Sequence, residues 1–186
     1  MKYAVEIIAA FVRNAHTKRA LHNVDADPRL NFWRLTQGNC LDMAVIEWCK
    51  LFGSDHKVHQ SAHWKNVIPA REHDEFRRGL HAAAGMSAAE WRKYWDHMKS
   101  YRDNQAAHFN EEYLRPENDP HFPELGPGLE AAYFYYERLL AIMDDQGIVH
   151  HFPADIRAYC KRFAAQVETA AKAAIDATEH MEERVR

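Results

Sequence analysis

Glycine, proline and cysteine are scarce in this chain, with seven, seven and three residues among 186. The glycines and prolines fall between stretches of helical periodicity, and neither strand-like alternation nor an internal repeat is present. Cys40, Cys49 and Cys160 are an odd number without the close spacing of a metal or redox motif. The sequence therefore predicts reduced thiols in a cytoplasmic protein rather than a disulfide framework.

Long apolar runs are missing as well. No segment is long enough to cross a membrane, and the first residues lack the pattern of a signal peptide. We therefore expect no association with membranes. The net charge is −3, from 24 basic and 27 acidic residues with histidine neutral. This balance argues against a broad, sequence-independent nucleic-acid coat but allows a small local site.

Apolar residues instead recur at steps of three and four, which is typical of packed helices. The predicted helices cover about 3–22, Asp27-Pro28 to Gly53, 70–84, a long segment from Ser87, a segment after a proline-rich crossing at 115–128, and a last one from Pro153. The predicted inward positions are Ile8, Phe11, Val12 and Ala15; Leu41, Val45, Trp48 and Phe52; Leu129, Tyr133, Tyr136, Leu140 and Met143; and Ile156, Cys160, Phe163, Val167, Ala170 and Ala174. The predicted fold class is all-α. We expect one domain, 1–186, built as an up-and-down bundle of four main helices plus short helices.

The long helix from Ser87 carries the most informative residues. Ser87 and Glu90 have the spacing of a capping box. The predicted apolar stripe then runs through Trp91, Trp95, Met98, Gln105, Phe109 and Tyr113. At about 100° per residue, Arg102 falls in the middle of this stripe.

A buried guanidinium needs a partner because it does not lose its proton. The positions three and four residues from Arg102 hold no acid, so we expect its charge to be offset by another helix, another subunit or a ligand. Asp103, one turn after Lys99, is predicted to form a solvated ion pair with it. Asn104 lies one turn before His108, where its amide can orient the imidazole or contact the ligand.

Arg102 and His108 are separated by about 9 Å along an ideal helix and by about 120° around it. Three arrangements are open: the arginine bends along the helix, the pair converges on a ligand, or two copies in a symmetric dimer complete one site. An arginine beside a histidine suits phosphate-ester chemistry, because histidine transfers protons near neutral pH and arginine neutralises a phosphoryl oxygen. The alternative is a structural arginine and an incidental surface histidine.

The string Tyr101-Arg102-Asp103-Asn104, followed by Ala107-His108, resembles the R-x(4–6)-H motif of the HEPN superfamily. It is similar in particular to the abortive-infection-type branch. The resemblance implies a metal-independent, dimeric endoribonuclease or RNA-binding protein without a cofactor, of the kind that acts as a toxin in defence systems. Arg102 and His108 would be catalytic at a dimer cleft, with Asp103, Asn104 and Tyr101 supporting them.

The resemblance also implies partners other than RNA and a second copy of the chain. Some family toxins are regulated by a cognate antitoxin or a nucleotidyltransferase that modifies a tyrosine two positions after the histidine. Here that position holds Asn110, a departure from the pattern. Other relatives are non-catalytic modules that bind nucleotides or proteins, which is the main alternative function.

A second group of candidate residues is histidine-rich. His59 and His63 are four positions apart, as two metal ligands on one helical face would be, and His56 precedes them. A metal-dependent helical-bundle enzyme is therefore a third hypothesis, and a solvated loop is its plain alternative. The five tryptophans are assigned to the core, except that Trp64 beside Lys65 is kept open as a base-stacking residue.

Overall fold

The computed structural model describes residues 1–24, 26, 30–53, 61–108, 110–112 and 122–178. Within those ranges the secondary structure is all-α, with seven α-helices and no strands. The helices are α1 (Lys2–Asn23), α2 (Asn31–Phe52), α3 (Trp64–Val67), α4 (His73–Ala83), α5 (Ala88–Tyr101), α6 (Gly126–Asp145) and α7 (Ile156–Thr178). A 3-10 turn, Ala70–Glu72, precedes α4, and a π-helical turn, Arg102–Ala106, follows α5.

The main hydrophobic cluster is built where α1, α2, α5 and α6 meet. Its largest fully buried side chains include Phe11 of α1, Trp48 of α2, Met98 of α5, and Tyr135 and Tyr136 of α6. The predicted inward positions of α1, α2 and α6 are all buried, so the periodicity of these helices is confirmed. Tyr135 and Tyr136 each donate the hydroxyl to a backbone carbonyl, at 3.0 and 2.6 Å, which satisfies the polar end of the ring.

The last helix is less buried than its sequence pattern predicts. Of the positions assigned to its inward face, Ile156 and Cys160 are buried, whereas Phe163 and Val167 are only half-buried and Ala170 is exposed. The prediction that Phe163 and Val167 lie largely within the core is therefore wrong. The physical reason is that α7 packs mainly along α1, so neighbouring helices cover a narrower stripe than its apolar face.

Two helix ends bear on the predicted boundaries. α2 ends at Gly53, as predicted, where an added Cβ would lie 2.4 Å from the Cys49 carbonyl oxygen. At its other end the described helix begins at Asn31, and the predicted start at Asp27-Pro28 lies outside the described residues. Gly85 follows α4 with a φ of +66°, a conformation that glycine adopts without strain.

None of the described helices has the length and hydrophobicity needed to cross a membrane. The three cysteines are free thiols; Cys49 and Cys160 are buried and Cys40 is half-buried.

Candidate functional site

The motif follows a helix with a strongly defined start. Ser87 Oγ accepts a hydrogen bond from the Glu90 amide at 3.3 Å, and Glu90 Oε2 accepts one from the Ser87 amide at 2.8 Å. The predicted capping box is therefore confirmed. α5 then presents Tyr94, Met98 and Tyr101 to the core, with Trp91 and Trp95 half-buried beside them.

The helix does not continue through the motif. α5 ends at Tyr101, and residues 102–106 form a π-helical turn closed by a 2.9 Å hydrogen bond from the Ala107 amide to the Arg102 carbonyl. The prediction of one long helix reaching Tyr113 is wrong over this stretch; Phe109 and Tyr113 themselves lie outside the described residues. Gln105 therefore belongs to the turn and not to a continuous apolar stripe.

Asn104 links the π-helical turn to the residues on both sides of it. Its Nδ2 donates to the Ser100 carbonyl at 2.8 Å, one helical turn earlier. The Asn104 Oδ1 accepts from Asn110 Nδ2 at 2.8 Å, and the Asn104 carbonyl accepts from the Asn110 amide at 3.1 Å. Asn104 thus ties the end of the helix to the chain that leaves it, and the expected contact with His108 is replaced by Asn110.

The partner of Arg102 is its sequence neighbour. The guanidinium donates from Nε to Asp103 Oδ1 at 2.7 Å, and a terminal nitrogen lies 2.5 Å from the same oxygen. The expectation that the charge is offset by another helix, another subunit or a ligand is therefore wrong, since an adjacent acid serves. The predicted pair between Asp103 and Lys99 is also replaced, and Lys99 instead lies over the Trp95 ring at 4.3 Å.

Arg102 also faces a buried thiol. Burial raises the pKa of Cys49 to about 12, and the neighbouring Arg102 opposes this shift through its charge and a hydrogen bond. The Arg102 side chain remains 26% exposed. Arginine has five N–H donors, and two nitrogens are engaged with Asp103. The guanidinium therefore keeps donors for a further anionic group.

Tyr101 positions the turn. Its ring is buried, and its hydroxyl donates to Asp42 Oδ1 on α2 at 2.7 Å. Its ring also meets Phe122 edge-on, with centroids 6.1 Å apart. Sequence reasoning missed Asp42, although an acid between Leu41 and Met43 in an apolar helical segment was a usable signal.

His108 is exposed and lies immediately after the residue that closes the π-turn. It makes no hydrogen bond or ion pair with the described part of the chain. The i→i+5 hydrogen bond joins the amide of residue 107 to the carbonyl of Arg102. Arg102 and His108 therefore lie at the two ends of one turn, at the C-terminal end of α5. The side chains of residues 101–104 thus make hydrogen bonds within the protein, whereas the His108 imidazole is exposed to solvent.

The histidine-rich segment has a different character. His56 and His59 lie outside the described residues. His63 is buried at 1% exposure, and its Nδ1 accepts a hydrogen bond from the Lys65 amide at 3.3 Å, which caps α3. In the part of the chain that the structure describes, no cluster of three or more histidine, cysteine or acidic side chains could hold a metal ion.

No protein-family model matches the chain, and neither a curated protein nor a solved structure is significantly similar to it. The resemblance to the HEPN superfamily therefore depends on the motif at 101–108 and on the order of the helices.

Proposed function

We propose that this protein acts on RNA at the turn formed by residues 101–108, as a metal-independent endoribonuclease of the HEPN type. The observation that carries the proposal is the π-helical turn inside the motif, with Arg102 partly exposed and His108 exposed at its exit. π-Helical turns are rare in proteins and occur frequently at functional sites. The proposed fold is a HEPN-like bundle in which α1, α2, α6 and α7 are the four main helices.

In this mechanism His108 takes the proton from a ribose 2′-hydroxyl, which attacks the adjacent phosphorus. Arg102 stabilises the charge that develops on the phosphoryl oxygens, because a planar guanidinium can donate two parallel hydrogen bonds. The bond to the 5′-oxygen breaks and that oxygen takes up a proton. The products are a 2′,3′-cyclic phosphate and a 5′-hydroxyl, and no metal or cofactor takes part.

Asp103, Asn104 and Tyr101 would act as positioning residues. Asp103 holds one edge of the guanidinium. Asn104 stabilises the turn through Ser100 and Asn110. Tyr101 anchors the turn to α2 through Asp42.

A homodimer completes the proposal, and the outer side of α2 supports it. Phe32, Leu35 and Met43 are 53, 64 and 42% exposed, at helical spacing on one face. That face adjoins Asp42, and so the Tyr101 anchor of the turn. Pairing two such faces would bury apolar surface and bring two motif turns close to one symmetry axis. By the same resemblance the protein would work in the cytoplasm and pair with an antitoxin, while regulation at a tyrosine is not supported because Asn110 occupies that place.

The test is an RNA-cleavage assay with purified protein in the presence of a chelator. Wild-type protein should cleave single-stranded RNA, and His108→Ala should lower the rate about 100-fold or more, because alanine cannot transfer a proton. Arg102→Lys should also lose most activity, since a point charge does not reproduce the two-pronged donor. The matched controls are His151→Ala and Arg162→Lys, which change exposed residues on and before α7; both should cleave like wild type.

The second candidate is a non-catalytic binding module on the same fold. The ion pair between Arg102 and Asp103 favours this second function, because an arginine with a purely structural role also has its charge neutralised by a neighbouring acid. Under that function, wild-type protein cleaves no RNA, yet binding of RNA or of a nucleotide is lost in Arg102→Ala. Cleavage that is abolished by chelator and restored by zinc would instead support a metal enzyme using His56, His59 and His63.

A further inference from the structure

A cleft distinct from the motif turn lies where the end of α2 meets α3, α4 and α5. Its volume is about 520 Å³, within the range of small-molecule sites in proteins. Arg102 and His108 are not among the described residues that line it. Whatever this cleft binds therefore does not depend on catalysis at the turn.

The described lining of the cleft is basic. It includes Lys65, Arg77, Arg92 and Lys99, and it contains no carboxylate. Each arginine pairs with an acid outside the lining, at 2.8 and 3.0 Å, on the exposed surface. Burial and the charge of Arg77 lower the pKa of His81, which also lines the cleft. Although the whole chain carries a charge of −3, this concave surface is suited to an anion.

The indole of Trp95 holds two of these cations in place. Arg92 and Lys99 lie 4.7 and 4.3 Å from the centroid of its ring, which is close enough for cation–π attraction. The Trp95 Nε1 donates to the Phe52 carbonyl at 2.6 Å, and this bond fixes the ring. Both cations thus lie against one aromatic ring at the surface of the cleft.

A second indole, Trp64 of α3, contacts the other two cations of the lining. Arg77 and Lys65 lie 5.8 and 6.0 Å from the ring centroid of Trp64. Trp64 itself is stacked on Phe76, with centroids 5.0 Å apart and ring planes at 19°. Because Trp64 is only 8% exposed, its role is to position the cations and not to stack on a ligand.

The remaining surface of the cleft is apolar and partly aromatic. Trp91 is half-buried and lines the cleft together with Phe52 and Leu80. Its ring is packed on Trp48, with centroids 5.9 Å apart, so its position is set by the core. A flat heteroaromatic ring fits such a wall, whereas a bare inorganic anion would leave it unused.

We propose that this cleft binds a nucleotide, with the phosphate between Lys99 and Arg77 and the base against Trp91. The nucleotide has two possible sources, a free mononucleotide or one unit of a single strand, and both offer the same phosphate and base. A strand would have to pass through the cleft, whereas a mononucleotide would be enclosed by it.

The experiment measures binding by calorimetry and by quenching of tryptophan fluorescence. The probes are inorganic phosphate, AMP and a single-stranded deoxyoligonucleotide of about ten nucleotides. The deoxyribose strand has no 2′-hydroxyl, so binding is measured separately from any cleavage at Arg102 and His108. The double variant Lys99→Gln/Arg77→Gln should bind AMP or the strand about tenfold more weakly or worse, because both charged donors are removed.

The matched control is Arg162→Gln/Lys172→Gln, which removes two exposed cations from α7 and should bind like wild type. Lys99→Arg, which keeps the charge, should retain most of the affinity, and circular dichroism should report the same fold for every variant. Trp91→Leu should weaken AMP binding without changing the affinity for phosphate.

The results distinguish a free nucleotide from a single strand, and other results would overturn the proposal. AMP binding that depends on the cleft cations, without strand binding, assigns a free nucleotide; the reverse assigns a single strand. Phosphate that binds as tightly as AMP would overturn the proposal, because the base then contributes nothing. Absence of binding by both AMP and the strand, or equal binding by the double variant and the control, would also overturn it.

Discussion

The two ends of α5 are formed by different kinds of interaction. At its start, Ser87 and Glu90 satisfy each other's backbone within one turn. At its exit, Asn104 takes the Ser100 carbonyl with its side chain, and Tyr101 reaches α2 to bind Asp42. The start is formed by hydrogen bonds within one turn, whereas the exit combines a local side-chain hydrogen bond with a tertiary contact.

This difference explains why only the first end was predicted correctly. A capping box can be recognised from the identity and spacing of two residues. The exit required knowing that the Asn104 side chain would bond to Ser100 and Asn110, and that an aspartate 59 positions earlier in the chain would receive the tyrosine hydroxyl. The candidate catalytic residues lie at the end where the backbone departs from the α-helix.

Among the interactions at the two ends of α5, loss of the Tyr101–Asp42 hydrogen bond should have the largest effect on the free energy of unfolding. Tyr101→Phe leaves a half-buried carboxylate without its donor and should lower the free energy of unfolding by about 1–3 kcal/mol. Asp42→Ala removes the acceptor of the same hydrogen bond. The double variant Tyr101→Phe/Asp42→Ala should therefore cost less than the sum of the two single changes. Urea denaturation of the two single variants and the double variant measures this coupling. Strictly additive costs would show that the bond does not hold the turn.

The core predictions illustrate the same limit of local reasoning. Spacing alone identified the buried faces of α1, α2 and α6, because those helices are covered on their whole apolar stripe. It failed for Phe163 and Val167, because exposure on α7 depends on which helices lie beside it. The number of neighbours that cover a stripe is a tertiary property, which periodicity does not encode.

The site residues divide in a similar way. The segment 101–108 was identified from its sequence, but the partner of Arg102 was not, because acids were sought one helical turn away and the partner is the adjacent Asp103. The basic cleft was also missed, although Arg92, Trp95 and Lys99 repeat at steps of three and four on α5. Trp95 had been assigned to the core stripe, and two cations flanking an aromatic residue were the overlooked signal.

Ser87→Ala should have a moderate effect that is confined to the start of α5. Loss of the cap should lower the free energy of unfolding by about 1 kcal/mol. RNA cleavage or binding at the motif should be unchanged, because the turn does not depend on the cap. Urea denaturation and the cleavage assay, run on the same preparation, check both statements. A large loss of activity in this variant would mean that the two ends are coupled.

Asn104→Ala should give the opposite result. Its cost in stability should be below about 1 kcal/mol, because the lost hydrogen bonds are partly offset by the higher helix propensity of alanine. Without the side-chain bonds to Ser100 and Asn110, the chain that leaves the turn would no longer be held to it, which would displace His108 and disrupt the site. Activity or RNA binding should therefore fall sharply while the melting curve changes little. A fully active variant would separate the π-turn from the function.

The smallest effect concerns pH at the start of the helix. The hydrogen bonds from Ser87 lower the pKa of Glu90 from its usual 4.5. A carboxyl whose pKa is depressed by folding stabilises the native state above its unfolded pKa, and this contribution is lost as the pH falls through the folded pKa. The stability difference between wild type and Glu90→Gln should therefore be present at neutral pH and shrink below pH 4.5. A difference that stays constant across this range would show that the carboxylate charge does not matter.

The most direct test of the proposed chemistry uses a DNA strand that contains one ribonucleotide. If His108 and Arg102 cleave RNA through its own 2′-hydroxyl, wild-type protein should cut this strand only after the ribonucleotide, with chelator present. The upstream fragment should end in a 2′,3′-cyclic phosphate, and His108→Ala should leave the strand intact. Cutting at the deoxyribonucleotides, or an equal rate in His108→Ala, would contradict the account.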